Sequence, residues 1–356
     1  MSNTRRLDAT GRERTPSMAD VAAHAAVSAQ TVSRVLSGHP NVQPATRARV
    51  LASVDVLGYR MNSAARALSS GRTRTIGVVV LPTIDYSGSA VTHGVESAAR
   101  RAGYAVNIST ASSPDPAAIA AAMTRLEQQS VEGIVLVVPV PTGTDAVEAI
   151  ARRIPTVTID GSRTDSSEVV AIDQFEVGRL ATEHLLELGH PTVWHVAGPD
   201  EWLDSTGRTA GWRSALDAAG RDAPPLLHGD WSPESGYQAG LLLGRIPEAT
   251  AVFVASDEMA FGVIRALHEL GRRVPEDLSV VGVDDIALAA YCSPALTTVA
   301  QPFGEIAALA VEHLLRRIDD PTAAPTSTDV AAQLVVRAST ARYSGAAAEA
   351  GESAPR

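Results

Sequence analysis

Two polar side chains spaced four residues apart, Gln30 and Arg34, are suited to reading DNA bases. Val32, Val35 and Leu36 recur around them at helical spacing, which predicts a helix with a buried apolar stripe. Residues four apart share a helix face, so Gln30 and Arg34 project together from the face opposite that stripe. Gln bonds bidentately to adenine and Arg to guanine in the major groove. The competing interpretation is that both are ordinary exposed helix residues.

A second group of polar residues follows apolar, strand-like runs. Its members are Asp160, Asp173, Ser256-Asp257 and Asp284-Asp285. Open parallel sheets bind ligands beyond the carboxyl ends of their strands, so these residues predict a small-molecule site. Asp173 precedes a helix at Phe175 and is interpreted as its N-cap, outside the site. Asp160 could instead form a turn. Of Asp284 and Asp285, one could cap a loop and make no contact with the ligand.

Three short helices must position the two candidate base readers. The first is predicted to begin at Met18 behind an N-cap at Ser17, and the second follows an N-cap at Ser28. A tight turn between these two makes a helix-turn-helix. A third helix, opened by Pro44, closes the small apolar core before Gly58.

Charge separates this region from the rest of the chain. Residues 1–75 contain 11 Arg and 4 acidic residues, whereas the remainder contains 19 basic and 36 acidic residues. A basic module on an acidic protein is typical of a nucleic-acid footprint, because phosphate neutralisation supplies much of the non-specific affinity. A solvated charged tail is the alternative.

Beyond residue 75, apolar strand-like runs alternate with helical periods. The predicted strands are 76–81, 105–109, 133–138, 156–159, 169–172, 193–197, 251–255, 279–283 and 334–336. Fully apolar strands alternating with helices indicate parallel sheets covered on both faces. The βα units roughly repeat after residue 160, so this α/β region is predicted to form two Rossmann-like lobes, as in periplasmic binding proteins.

Composition excludes several classes of protein. The chain has 356 residues, of which 45% are hydrophobic and 20% charged, which indicates a folded protein of two or three domains. The longest uncharged apolar run, 133–141, is about half the ~20 residues that a membrane helix needs. Arg5 and Arg6 are followed by polar residues rather than by an apolar signal core. The sequence therefore predicts a cytoplasmic protein.

Enzyme and metal signals are weak. We find no phosphate-binding glycine loop, no nucleophile elbow and no zinc-protease motif, so the sequence predicts neither catalysis nor a cofactor. The single cysteine, Cys292, forms no intramolecular disulfide. His184 and His190 lack a partner at metal spacing, so we interpret both as structural or surface residues and predict no metal site.

An ordered series of short runs carries a family resemblance. The runs are Met18-Ala19-Asp20-Val21-Ala22, Val27-Ser28-Ala29-Gln30-Thr31-Val32-Ser33-Arg34-Val35-Leu36, Thr46-Arg47-Ala48-Arg49-Val50, Leu57-Gly58-Tyr59 and Asn62. This series resembles the headpiece of the lac repressor family of bacterial helix-turn-helix transcription factors. The resemblance implies that the second helix lies in the major groove, with Ala29, Gln30 and Arg34 as readers. The family usually has Gly where this chain has Ala26, which matters if the backbone there needs a positive φ.

The next segment, 62–68, is compatible with a helix but too short to be stable alone. In the resembling family this is a hinge helix that orders on DNA beside its dimer mate. There a leucine, matched here by Leu68, enters the minor groove and kinks the duplex. The alternative is a linker leucine packed against the body. The predicted DNA-binding set is Ser28, Ala29, Gln30, Thr31, Ser33, Arg34, Asn62, Ala65 and Leu68.

The resemblance continues through the body to about Arg337. It is clearest in Gly198-Pro199, Arg208-Thr209-Ala210-Gly211-Trp212, Gly229-Asp230-Trp231-Ser232, Ala255-Ser256-Asp257-Glu258-Met259-Ala260, Val280-Val281-Gly282-Val283-Asp284-Asp285 and Leu296-Thr297-Thr298-Val299 with Gln301-Pro302-Phe303. By that resemblance the ligand site comprises Asp160, Arg208, Trp231, Ser256, Asp284, Gln301 and Phe303. Carboxylates and a guanidinium can bridge adjacent sugar hydroxyls, and an aromatic ring can stack on the C–H face of a sugar.

Competing roles and departures affect this site. Arg208 could form an ion pair with Asp204 four residues earlier, and Trp231 could be a core residue. The family's namesake has Ser at the position of Leu81 and Asn at that of Ser256, so the resemblance does not identify the sugar.

Together these patterns predict a homodimeric repressor of carbohydrate-utilisation genes that a sugar, first a galactoside, releases from a palindromic operator. The alternatives are a purine or other corepressor on the same fold, and a sugar-binding protein without a regulatory role. The predicted domains are a flexible basic arm (1–15), the headpiece (16–61), a hinge helix and linker (62–75), a ligand-sensing and dimerisation domain (76–340) and a disordered tail (341–356). The tail has no apolar heptads, so no tetramerising coiled coil is expected.

Overall fold

The computed structural model describes residues 16–36, 39–59, 71–82, 86–161 and 168–345. The chain divides into two compact units, Met1–Thr73 and Arg74–Arg356, called the headpiece and the body below. In the described part of the chain, no helix combines the length and apolar character needed to cross a membrane. The predicted arm over 1–15 and the proposed hinge residues 62–70 lie outside the described residues.

Three helices make up the described part of the headpiece, as predicted. They are α1 (Met18–His24), α2 (Ala29–Leu36) and α3 (Pro44–Leu57). The Ser17 hydroxyl accepts from the Asp20 amide and the Asp20 carboxylate accepts from the Ser17 amide, which together cap α1. Ser28 Oγ accepts from the Thr31 amide at 3.1 Å and caps α2. Val21, Val32 and Val50, one from each helix, are fully buried in a common core.

The turn between α1 and α2 places a non-glycine residue in the left-handed region. Ala26 has φ 51°, and its side chain is exposed. An L-residue is strained there, because its Cβ approaches the following carbonyl oxygen. The structure therefore explains why glycine suits this turn, and it shows that alanine is accommodated.

The body alternates strands and helices. Its first part contains β1 (Thr75–Val80), α4 (Tyr86–Arg101), β2 (Ala105–Thr110), α5 (Pro116–Gln128), β3 (Gly133–Val137), α6 (Asp145–Ala151), β4 (Thr156–Ile159) and β5 (Glu168–Ile172). Its second part contains α7 (Gln174–Glu187), β6 (Trp194–Ala197), α8 (Leu203–Ala218), β7 (Leu227–His228), α9 (Pro233–Leu243), β8 (Ala251–Val254), α10 (Asp257–Glu269), β9 (Ser279–Asp284), a 3₁₀ turn (Ala287–Ala290), β10 (Thr297–Ala300), α11 (Phe303–Asp319), β11 (Ser327–Val330) and β12 (Gln333–Val335).

Two six-stranded sheets define two lobes. The first has the order β11-β5-β4-β3-β1-β2 and is parallel throughout. The second has the order β12-β10-β9-β8-β6-β7. Its strand β12 runs antiparallel to β10, which corrects the expectation of purely parallel sheets. The two-lobed α/β architecture itself is confirmed.

The chain passes between the lobes three times. Helix α7 packs on the second sheet and α11 on the first, so the crossings fall at residues 173, 301–302 and 331–332. Each lobe is thus completed by late segments of the chain. The sequence predicted that the βα units of the second lobe begin after about residue 160. It did not predict β7, β10 and β11, which are short or carry Thr, Ser and Asp.

The end of the body differs from its predicted boundary. The tail was expected to begin at 341, but the Ala341 amide donates to Ser279 Oγ and the Tyr343 ring packs against His190. His190 also contacts the hydroxyls of Thr250 and Ser279, so its predicted structural role is confirmed. Residues 346–356 lie outside the described residues.

Candidate functional site

The first candidate surface is the outer face of α2. Gln30, Ser33 and Arg34 are exposed there, together with Ser28 and Ala29 at the start of the helix. Thr31 is half-exposed, and its hydroxyl pairs with that of Ser28 at 2.9 Å. This continuous polar face is the geometry predicted for a recognition helix. Asn62, Ala65 and Leu68 lie outside the described residues.

The second candidate site lies between the lobes of the body, and Arg208 is its only cationic lining residue among those described. The Arg208 side chain is 3% exposed. Its Nε donates to Gln174 Oε1 at 2.8 Å, and its Nη1 donates to the Ala255 carbonyl. Its Nη2 lies 3.9 Å from Asp204 Oδ2, so the ion pair considered from the sequence is present while Arg208 still faces the cleft.

Asp284 ends β9 and completes a buried polar network. Gln301 Nε2 donates to Asp284 Oδ1, and Gln301 Oε1 accepts from Gln174 Nε2 at 2.9 Å. The network therefore runs from Arg208 through two glutamines to Asp284. Burial raises the pKa of Asp284 well above its ordinary value of 3.8, although the Arg208 charge opposes this shift. A carboxyl that readily holds a proton can both donate to and accept from a hydroxyl group.

Gln174 was missed in the sequence. It stands beside the first crossing, directly after Asp173, whose predicted N-cap role is confirmed because its Oδ1 accepts from the Glu176 amide at 3.1 Å. Gln301 occupies the second crossing and has both ends of its amide engaged, so it lies behind the cleft rather than in its lining. The only sequence signal for Gln174 was its position after a strand-ending aspartate.

Ser256 and Asp257 have different roles although they are neighbours. Ser256 lines the cleft and its hydroxyl accepts from the Met259 amide at 3.2 Å, capping α10. Asp257 is fully buried and accepts from Thr298 Oγ1 at 2.6 Å and from the Ile286 amide at 2.9 Å. Burial raises the pKa of Asp257 to about 7. Asp257 thus holds the loop that follows Asp284.

Two tryptophans form an aromatic corner in the cleft. The Trp231 ring lies 5.6 Å from the Arg208 guanidinium and packs edge-on against Trp202, with ring centroids 5.6 Å apart. Trp231 has φ 73° and occupies space left by Gly198, where a Cβ would come within 2.3 Å of the indole. Trp231 therefore packs against the core and also lines the cleft, and its role in ligand binding stays a prediction. Trp202 was not predicted.

The first lobe contributes Asp160 and Phe303. Asp160 has φ 53°, and its Oδ1 accepts from the Ile172 amide at 2.8 Å, so it shapes a turn and also lines the cleft. Phe303 begins α11 and packs edge-on against Tyr86 at 6.1 Å. These residues lie on the opposite side of the cleft from Arg208 and Asp284.

Two adjoining spaces lie within the described part of the cleft. The smaller one, about 20 Å³, is called the polar end and is lined by Arg208, Trp231, Ser256, Glu258 and Asp284. The larger one, about 210 Å³, is called the wide end and is lined by Leu81, Asp160, Phe303 and neighbouring residues of the first lobe. Ser87, Trp202 and Asp204 line both spaces and join them.

The charges of the two spaces restrict the ligand. Among the described lining residues there are three further carboxylates besides the raised-pKa carboxyl of Asp284, namely Asp160, Asp204 and Glu258, against the single guanidinium of Arg208. An anionic ligand would meet an excess of like charge, so this lining favours a neutral one. The described residues contain no group of three or more His, Cys, Asp or Glu side chains arranged to hold a metal ion.

A helix-turn-helix unit and a two-lobed α/β unit with a polar cleft, combined in one chain, define a bacterial type of transcriptional regulator. Residues 17–62 match the family described as bacterial regulatory proteins, lacI family, and residues 182–340 match the periplasmic binding protein-like domain. The chain belongs to the lacI family of bacterial regulatory proteins. It is a transcriptional repressor rather than an enzyme.

Three comparisons support this assignment. The chain is 34% identical over 328 residues to the transcriptional repressor PurR of Klebsiella pneumoniae, covering 90% of this chain and 96% of PurR. It is similar to the lac repressor dimer bound to operator and the anti-inducer ONPF, with a TM-score of 0.84, 31% identity and coverage of 92% and 100%. It is also similar to a CelR–cellobiose complex, with a TM-score of 0.67, 32% identity and coverage of 91% and 99%.

Proposed function

We propose that this repressor binds a palindromic operator as a homodimer and is released when a neutral sugar binds between the lobes of the body. The polar end of the cleft carries the proposal. There a guanidinium and a carboxyl of raised pKa, Arg208 and Asp284, are buried beside an indole ring. Vicinal hydroxyls suit the two polar groups, and the C–H face of a sugar suits the indole.

Further features support a polyhydroxyl ligand. The indole Nε1–H of Trp231 is buried and has no hydrogen-bond partner among the described residues, so a ligand hydroxyl would satisfy it. The lining carboxylates of Asp160, Asp204 and Glu258 disfavour phosphorylated sugars. One solved relative, CelR, is complexed with cellobiose. We take galactosides as the first candidates and carbohydrate-utilisation genes as the proposed targets.

The proposed coupling depends on the three crossings between the lobes. Asp160 and Phe303 belong to one lobe and Arg208 and Asp284 to the other, so a ligand bridging them favours one interlobe arrangement. A ligand shifts such an equilibrium only through its different affinities for the two arrangements. Release from DNA then follows if the ligand-favoured arrangement binds the operator more weakly.

Homodimer formation is proposed because two-fold protein symmetry matches a palindromic site. The solved lac repressor relative is a dimer bound to operator. Light scattering at micromolar protein should give the mass of two chains. A tetramer would contradict the proposal.

Thermal unfolding of the full chain with a panel of galactosides, glucosides, pentoses and purine bases tests the ligand class. A sugar at 100 times its dissociation constant should add about 2.7 kcal/mol to the free energy of unfolding. Asp284→Ala should abolish this gain, whereas the control Asp222→Ala, at an exposed site, should retain it. The stabilising sugar should then release operator DNA in a mobility-shift assay. Stabilisation by a purine base alone would instead indicate a corepressor.

A further inference from the structure

Trp202 belongs to the second lobe by its place in the chain but is buried in the first. It lies in the loop between β6 and α8, which both belong to the second lobe. Trp202 is 9% exposed and sits in an apolar cluster whose other buried members come from residues 79–154 of the first lobe. Among the buried described residues of this cluster, Trp202 alone therefore crosses the cleft.

The backbone beside Trp202 also bonds to the first lobe. The amide of Leu203, the first residue of α8, donates to the carbonyl of Pro139 at 2.9 Å. The first amides of a helix have no acceptor within that helix, so this one is satisfied by the opposite lobe. A buried side chain and a neighbouring backbone bond thus join the same two segments across the cleft.

This contact lies apart from the three crossings of the chain. Two crossings leave the first sheet at β5 and β11, which are neighbours at one edge, whereas Pro139 follows β3. The third enters α11, which packs on the sheet face that carries Val137. Trp202 packs with Leu136, on the opposite face, because successive strand residues point to opposite sides of a sheet. The Trp202 contact therefore joins the lobes at a point of its own.

The second lobe does not need Trp202 to complete its own core. In the described part of the chain, the buried cluster around Val254 and Val280 does not include Trp202. Trp231 lies between the two clusters and packs against both, and its ring meets that of Trp202 edge-on at 5.6 Å. The two indoles therefore form a continuous apolar bridge between the cores of the lobes.

We infer that Trp202 is an interlobe latch, a positioning residue that holds the two lobes in this arrangement by contacts within the chain itself. Separating the lobes would expose the indole and the apolar surface that it covers to water. It would also remove the acceptor of the Leu203 amide. A rotation of the lobes about the crossings must therefore break the latch.

The latch has a consequence for DNA binding. The repressor is proposed to hold its operator until a sugar binds, so the latched arrangement is the one that binds DNA. This consequence rests on the proposed function, whereas the latch itself rests only on the contacts of Trp202 and Leu203.

Two pairs of variants separate the side chain from the backbone bond. Trp202→Ala removes the indole, and Trp202→Phe is its matched control, because it keeps an aromatic ring in the first lobe. Leu203→Pro removes only the amide donor, since proline suits the first position of a helix. The φ of −90° and ψ of 127° at Trp202 also suit a residue before proline. Leu203→Ala shortens the same side chain but keeps the amide.

The interlobe distance is measured by electron spin resonance on the full chain in a Cys292→Ser background. Spin labels at Ser112→Cys and His228→Cys are exposed and stand at the ends of β2 and β7, the edge strands away from the crossings. Labelled chain is diluted into unlabelled chain, so that only distances within one chain are recorded. Trp202→Ala and Leu203→Pro should each move about half of the population or more to longer distances. Trp202→Phe and Leu203→Ala should keep the parental distribution.

Operator affinity then tests the consequence for DNA binding. Anisotropy titrations with a selected palindromic operator, without added sugar, should show about tenfold weaker binding by Trp202→Ala and less than about threefold by Trp202→Phe. Both variants leave the headpiece sequence unchanged, so a loss of affinity must come through the body. Melting temperatures check that each variant is folded. Where Trp202→Ala does not fold, Leu203→Pro against Leu203→Ala decides.

The outcomes distinguish the latch from the proposed function. Parental distances in both Trp202→Ala and Leu203→Pro would overturn the latch. Longer distances with parental operator affinity would support the latch and contradict the assignment of this arrangement to DNA binding. Longer distances in a chain that no sugar releases from the operator would support the latch and overturn the proposed function.

Discussion

The headpiece and the body present their functional side chains in opposite ways. In the headpiece, Gln30 and Arg34 lie exposed on one eight-residue helix, while its core is built from other residues. In the body, the cleft residues come from positions between 80 and 303, and Arg208 and Asp284 are as buried as the core. Substitutions at a contiguous exposed site can therefore change binding without changing stability. Substitutions in a buried network of distant residues change stability as well.

Arg208→Met should therefore have the largest effect. Removing the guanidinium takes away the positive charge 3.9 Å from the Asp204 carboxylate and breaks the buried bonds to Gln174 and Ala255. We expect a loss of about 3–5 kcal/mol in the free energy of unfolding, measured with urea, together with loss of ligand-induced stabilisation. The matched control is Arg179→Met, whose ion pairs with Glu176 and Glu183 are partly exposed and should contribute less than about 1 kcal/mol. Equal losses in the two variants would contradict a structural role for the site.

The pH dependence of stability should reveal the buried carboxyl of Asp257. Burial raises its pKa from 3.8 to about 7, so between these values the native chain holds a proton that the unfolded chain has lost. The stabilisation from this proton falls as the pH rises, by about 1.4 kcal/mol per unit, and is absent above about pH 7.

Urea unfolding of the wild type and of Asp257→Asn at pH 5 and pH 7 measures this effect. The free energy of unfolding of the wild type, relative to that of Asp257→Asn, should fall by about 2 kcal/mol from pH 5 to pH 7, because the asparagine does not titrate. An advantage that is constant or grows with pH would show that the carboxyl is ionised in the native state.

Arg34→Ala should affect DNA binding and leave folding unchanged. We expect a loss of roughly 1–3 kcal/mol at one operator base pair, with relaxed specificity there. Stability should change by less than about 0.5 kcal/mol, because the side chain is exposed. Anisotropy titrations against a selected operator and its single-base variants measure this, with Arg49→Ala on the exposed face of α3 as the control. Equal weakening on every sequence would assign Arg34 to phosphate contact.

Ala26→Gly should give the smallest effect. The residue has φ 51°, which glycine adopts without Cβ strain, and its exposed side chain loses no packing. Part of the gain is offset by the greater freedom of glycine in the unfolded chain, so we expect the headpiece to gain about 0.5–1 kcal/mol.

Hydrogen exchange of headpiece amides in the full chain measures the change at Ala26. Ala23→Gly, on the exposed face of α1, is the matched control and should lose about 0.5–1 kcal/mol, because glycine weakens a helix interior. Faster exchange in Ala26→Gly would rule out strain at the turn.

How much could be predicted differs between the two regions for a physical reason. The helices of the headpiece, its caps at Ser17 and Ser28, and the exposed face of α2 depend on residues within a few positions of each other. Local periodicity and capping signals therefore identified them. The strands of the body were found where they were long and apolar, and were missed where they were short or polar, as in β7 and β11.

The cleft was predicted only in part. Strand-ending aspartates and the family resemblance indicated Asp160, Arg208 and Asp284, all of which line it. Gln174 and Trp202 gave no usable signal, because a glutamine at a helix start and a tryptophan in a loop are ordinary in sequence. Only their contacts with Arg208 and Trp231 define their roles.

The sequence by itself determined the class of this protein: a basic helix-turn-helix headpiece on an acidic, two-lobed α/β body, in an order that marks the lacI family. These features follow from composition and from patterns among residues that are close together in the sequence. The tertiary structure alone decided which residues meet in the cleft, the division of that cleft into a polar and a wide end, and the raised pKa of Asp284. Those properties depend on burial and on the three crossings of the chain, which bring residues more than a hundred positions apart into contact.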